Sequence, residues 1–95
     1  MVKKCIVDLS KKAKDTLIKV PAHIKDKLLV WVDAVERTGI QAVRKIPGFH
    51  DEPLKGGRTG QRSIRLSKAY RAIYIEEPNN EIIIILVLEV NKHVY

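Results

Sequence analysis

Seven consecutive apolar residues, Ile82-Ile83-Ile84-Ile85-Leu86-Val87-Leu88, dominate the last third of this 95-residue chain. The run is rich in β-branched residues and shows no polar alternation, which predicts a central strand buried on both faces. It is far too short to cross a bilayer. Glu77-Pro78-Asn79-Asn80, just before it, is a strong turn signal. The spacing therefore predicts a strand over Glu81–Val90 that returns from another over Tyr70–Glu76, with a third strand over Arg62–Leu66 joined by a turn at Ser67-Lys68.

The N-terminal half has a different period. Cys5–Leu9 reads as a short strand. Ser10 is placed to cap a helix through Ala13, Leu17 and Ile18, which Pro21 breaks. Pro21 then suits the first turn of a second helix. Its apolar positions, Ile24, Leu28, Trp31, Val32 and Val35, form one continuous face that ends at Gly39. Trp31 on that face is expected in the core. Ile40–Ile46 adds a short helical turn, closed by Pro47-Gly48. From Phe49 to Gly60, three glycines and a proline argue against regular structure, and a loop that long in so small a chain is usually functional or mobile. The expected architecture is α+β: two N-terminal helices packed on a small, mainly antiparallel sheet of three to four strands, as one domain over residues 1–95.

Composition limits the function. Hydrophobic residues make up 45% and charged residues 31%, as in globular proteins. A single cysteine, Cys5, cannot form an internal disulfide, and its apolar surroundings suggest a buried small hydrophobe. No secretory signal is apparent, so a soluble cytoplasmic protein without a membrane partner is expected. The net charge of +7 favours an anionic partner. Between Gln41 and Arg71 there are eight Lys and Arg residues against two acids, which places six of the seven excess charges in one third of the chain.

Several chemistries lack their residues. His23, His50 and His93 lie far apart, with no second cysteine or paired-histidine spacing, so neither a metal site nor another cofactor is expected. Lys55-Gly56-Gly57-Arg58 is too short for a phosphate-cradling loop, and no nucleophile elbow is present. What remains is the basic stretch and the C-terminal Asn91-Lys92-His93-Val94-Tyr95. An extended tail would set Asn91, His93 and Tyr95 on one face. An imidazole and a phenol beside arginines can act on RNA, which supplies its own nucleophile, the 2′-hydroxyl. A protein need only remove that proton, protonate the leaving 5′-oxygen and stabilise charge on phosphorus. A docked or frayed tail would carry the same residues without chemistry.

Three pieces occur in order along the chain. Glu52-Pro53-Leu54-Lys55 comes first, then Tyr70-Arg71-Ala72-Ile73-Tyr74, then Lys92-His93-Val94-Tyr95. Together with Gly60–Leu66 and the Leu-Val-Trp-Val of the second helix, this set resembles the RelE/StbE-type toxin family that includes HigB and YoeB. The similarity spans nearly the whole chain. It implies the RelE-like fold and a type II toxin that cleaves mRNA in the ribosomal A site without a metal, leaving a 2′,3′-cyclic phosphate. Partners implied are a cognate antitoxin, mRNA and ribosomal RNA. Carried over by residue, Glu52 resembles a general base and Arg71 a phosphate-stabilising arginine. His93 and Tyr95 resemble a terminal pair that supplies the acid and stacks on a base. Lys55, Arg62 and Arg65 resemble RNA-holding residues, and Arg58, Lys68 and Lys92 add backbone electrostatics.

Val94 separates His93 from Tyr95, whereas YoeB-like tails place the two side by side, which leaves the base and acid roles open between Glu52 and His93. Arg71 also alternates with Ile73 and Ile75, which look like core. Two further function classes compete. ParE-like toxins inhibit DNA gyrase by binding it and lack the terminal Lys-His-x-Tyr pattern. A non-catalytic RNA-binding module would show salt-sensitive binding and no cleavage.

Overall fold

A computed structural model describes residues 4–92. The chain runs β1 (Lys4–Leu9), α1 (Lys11–Leu17), α2 (Ala22–Thr38), α3 (Ile40–Arg44), β2 (Glu52–Pro53), β3 (Arg62–Arg65), β4 (Tyr70–Asn79) and β5 (Ile82–Lys92). Short 3₁₀ turns at Pro47–Phe49 and Gly56–Arg58 interrupt the loop region. The five strands form one sheet in the order β1-β5-β4-β3-β2. β1 is parallel to β5, and every other pair is antiparallel.

Ser10 fixes the junction of β1 and α1. Its Oγ accepts from Ala13 N at 3.0 Å, capping α1, and donates to Leu88 O at 2.6 Å, tying the cap to β5. α2 begins after Pro21, whose φ of −56° suits a helix start, and ends at Gly39, whose φ of 91° favours glycine. Ile24, Leu28, Trp31 and Val35 point into the core with no exposed surface. Trp31 packs on Tyr74 of β4 with ring centroids 5.2 Å apart. Among the described residues no helix is long and apolar enough to cross a membrane.

The α+β class with helices on a sheet holds, but the count among the described residues differs from expectation: three helices and five strands. The added strand, β2, is two residues long, too short for any periodicity to reveal. Its hydrogen-bonding partner is β3, through Glu52↔Ser63 and Pro53↔Arg62. The hairpin turn also moves. β4 continues to Asn79, and the turn is Asn80-Glu81, with Asn80 at φ 54°. Pro78 is tolerated inside β4 because β3 pairs only with Arg71–Tyr74. Beyond that, β4 has a neighbour on one side alone, and the missing N–H costs no ladder bond on the open side.

β5 does lie inside the sheet, between β1 and β4. It is not buried equally on both faces. Ile85 and Val87 are fully buried beneath the helices, while Ile84, Leu86 and Leu88 on the run's other positions are half-buried. The register of β4 with β5 then slips: Tyr74 faces Val87 and Ile73 faces Glu89, leaving Leu88 as an extra residue. This bulge reverses the parity of β5. Val90 turns to the helix side, opposite Ala72, and Glu89 turns to the face away from the helices, opposite Ile73.

Candidate functional site

Directly paired residues in a sheet share a face, so the register sorts the candidate residues. One row across the face away from the helices reads Glu52, Ser63, Ile73, Glu89. The next row on that face reads Arg65, Arg71, Asn91. The difficulty over Arg71 thus resolves: Ile73 is buried on Arg71's own face, outside the core cluster beneath the helices.

Above these rows lies an open cleft of about 70 Å³, lined by Glu52, Ser63, Arg65, Lys68 and Arg71 together with His50, Ser67 and Tyr70. Ser67 Oγ accepts from Ala69 N and Tyr70 N, both at 3.1 Å, and so shapes the turn that forms one wall. His50 adopts a left-handed φ of 46° at the end of a 3₁₀ turn. Arg71 Nε is buried without a hydrogen-bond partner among the described residues. Within those residues no ion pair engages Lys55, Arg65, Lys68 or Arg71. A cleft with uncommitted guanidinium and ammonium groups suits an anion such as a phosphodiester.

Four sequence-predicted residues, Glu52, Arg65, Lys68 and Arg71, are therefore brought together. Lys55 is exposed on the adjoining loop. Arg62 stands on the opposite face, where its Nε donates to Asp51 Oδ1 at 2.6 Å. Tyr74 Oη donates to the other Asp51 oxygen, Arg44 Nε donates to Tyr74 Oη at 3.3 Å, and Arg44 also pairs with Glu76. Burial and the bond to Asp51 push the Tyr74 phenol up to about 12, against the pull of Arg44. Burial opposes the charge on Arg62, but Asp51 outweighs it and raises that guanidinium's pKa. Arg58 is also committed: it pairs with Glu89 and donates to Gln61 Oε1 at 3.0 Å. Lys92 is exposed at the end of β5, in register with Tyr70. His93 and Tyr95 lie outside the described residues. Asn91, two positions before His93, is the direct partner of Arg71.

Sequence reasoning missed His50, Asp51 and Glu89. The spacing of the three histidines speaks only to metal binding and gives no signal for a single imidazole at a cleft, which is where His50 lies. Glu89 carried a signal, an acid set between Leu88 and Val90 in an apolar strand. Asp51 carried another, adjacency to Glu52, since successive strand residues face opposite ways. Among the described residues no three His, Cys, Asp or Glu side chains are grouped so as to hold a metal.

Neither a protein-family model nor a curated protein matches the chain. Solved structures do. A YoeB/ParE toxin from Agrobacterium tumefaciens is 20% identical, superposes with a TM-score of 0.68, and the match covers 96% of this chain and 99% of that one. A chain of the archaeal RelE–RelB complex from Pyrococcus horikoshii is 23% identical, with a TM-score of 0.68 and coverage of 97% and 96%. YafQ from Escherichia coli is 11% identical, with a TM-score of 0.71 and coverage of 95% and 94%. The chain has the fold of the RelE/YoeB-type toxins.

Proposed function

We propose that this chain is the toxin of a type II toxin–antitoxin pair and acts as a ribosome-dependent endoribonuclease on mRNA. The observation that carries this reading is the convergence of Glu52, Arg65 and Arg71 from three strands onto one cleft, at the end of β5 that leads to His93 and Tyr95. The RelE-type fold supports it by analogy.

The chemistry asks for three things. A base removes the proton of the 2′-hydroxyl, and the freed oxygen attacks the adjacent phosphorus in line. Arg71, with Arg65 beside it, stabilises the charge that builds on the non-bridging oxygens. An acid protonates the departing 5′-oxygen, leaving a 2′,3′-cyclic phosphate and a 5′-hydroxyl. Glu52 and His93 share the base and acid roles, and Tyr95 stacks on a base or assists the acid. His50 places a further imidazole at the cleft, a side chain suited to proton transfer near neutral pH. Because the nucleophile belongs to the substrate, no metal-activated water is required. Lys55 and Lys68, both exposed, hold the phosphate backbone of mRNA and ribosomal RNA. A cognate antitoxin with an acidic segment covers the same basic face.

Induced expression in bacteria tests the reading. Growth arrest is expected, with mRNA cut while it is being translated and left intact when translation is blocked. Intact mRNA alongside lost DNA supercoiling would replace this reading with inhibition of gyrase.

A further inference from the structure

Glu89 takes no part in the proposed cleavage step, yet it is the best-satisfied acid on the cleft's face. It is 7% exposed. Its carboxylate accepts from Lys12 Nζ of α1 at 2.9 Å and from Asn91 Nδ2 at 3.0 Å, and it pairs with Arg58 from the loop. Lys12's hydrogen bond, with those of Asn91 and Arg58, holds its carboxyl down near about 2 despite burial. The loop that carries Arg58 is closed at its base, where Leu54 N donates to Gln61 O at 2.9 Å. Glu52 pairs with Ser63 just beneath that closure. One buried carboxylate thus joins the basic loop to the side chain directly opposite Arg71.

We propose that Glu89 is a positioning residue: by holding Arg58 and Asn91 it fixes the Leu54–Gln61 loop over the sheet and sets Glu52, Lys55 and Arg71 in one geometry. The proposal rests on the ribonuclease reading for its catalytic half, while the loop anchoring stands on contacts alone. A plain counter-ion would behave differently. Neutralising Glu89 removes one negative charge and releases two cations, Lys12 and Arg58, which strengthens RNA binding by long-range attraction. Loss of positioning slows the reaction, because misplacement of a catalytic group by about 1 Å can cost on the order of 10²-fold. The two effects have opposite signs, and only positioning predicts both together.

The test is the full-length Glu89→Gln protein with three readouts. Trypsin nicking after Lys55 or Arg58 in the folded protein should accelerate about tenfold or more. Affinity for a single-stranded RNA oligonucleotide should be equal or higher. Turnover of translated mRNA should fall roughly 10- to 100-fold with KM little changed, and Glu89→Asp should recover part of it. Wild-type turnover, or slowed turnover with the loop still protected from trypsin, would overturn the proposal. If Glu89→Gln does not fold, Arg58→Gln breaks the same contact from its half-exposed side and is judged by trypsin nicking after Lys55 and by turnover, since loss of the Arg58 charge itself weakens RNA binding. A wild-type protein that never cleaves translated mRNA would sink the ribonuclease reading, and trypsin protection would still decide whether Glu89 holds the loop.

Discussion

Asp51 and Arg62 form an ion pair on the helix side of the sheet, with Nε 2.6 Å from Oδ1, while the next residue, Glu52, faces the cleft on the other side. The Asp51 side chain is only 1% exposed. Removing one member of such a pair leaves an uncompensated buried charge. Asp51→Asn should therefore destabilise the protein toward the lower end of the ~3–5 kcal/mol typical of broken buried pairs, since Arg62 keeps some water contact. Urea midpoints read this directly. Arg62→Ala should show the same loss with little change in the salt dependence of RNA binding. A flattened salt slope at unchanged stability would return Arg62 to the RNA-holding set.

Stability should also depend on pH in two windows. Glu89 is depressed from 4.5 to about 2 in the folded state. Its contribution is therefore complete above about pH 4.5 and is lost as pH falls towards 2, an effect on the order of 3 kcal/mol. Tyr74 is raised from 10.0 to about 12. For an acid shifted upward, the contribution is present below pH 10 and lost between 10 and 12. Denaturation midpoints across pH, with tyrosinate absorbance at the alkaline end, check both. Glu89→Gln should remove the acid limb between 4.5 and 2, and an unchanged limb would mean other carboxylates cause it.

The cleft cations should divide into two behaviours. Arg71, half-buried and with no hydrogen-bond partner for its Nε among the described residues, is proposed for the charge-stabilising step. Arg71→Ala should cost about 3–4 kcal/mol of barrier, seen in kcat, at near-normal stability. Lys55 and Lys68 are exposed. Changing either to Ala should reduce the salt slope of RNA binding by about 0.7 per lost phosphate contact, with a modest loss of affinity. Equal effects from all three would argue for diffuse electrostatics and no reacting centre.

Much of this is legible in the sequence. The 3.6-residue spacing from Ile24 to Val35 specifies α2 and its buried face, and the run from Ile82 specifies a strand inside the sheet, because those signals are local and long. The family resemblance singles out Glu52 and Arg71 as catalytic candidates and the basic stretch marks Arg65 and Lys68 as RNA-binding ones, although only the fold brings the four to one cleft. What was hidden depends on pairing. β2 is two residues long and exists only through β3. The bulge at Leu88, which turns Glu89 to the cleft's face, follows from how β4 and β5 align. Arg62 looked equivalent to Arg65 in a basic stretch, but the strand's period-two geometry sends it to Asp51.

We propose that the cleft promotes attack by the substrate's own 2′-hydroxyl. The measurement that tests it most directly is the chemistry of the cut ends on an mRNA translated with the purified protein, previously stripped of bound metal by a chelator. Undiminished cleavage giving 2′,3′-cyclic phosphate and 5′-hydroxyl ends, lost in Arg71→Ala, is expected. Products bearing 5′-phosphate, or cleavage that returns only when metal is restored to the protein, would contradict it.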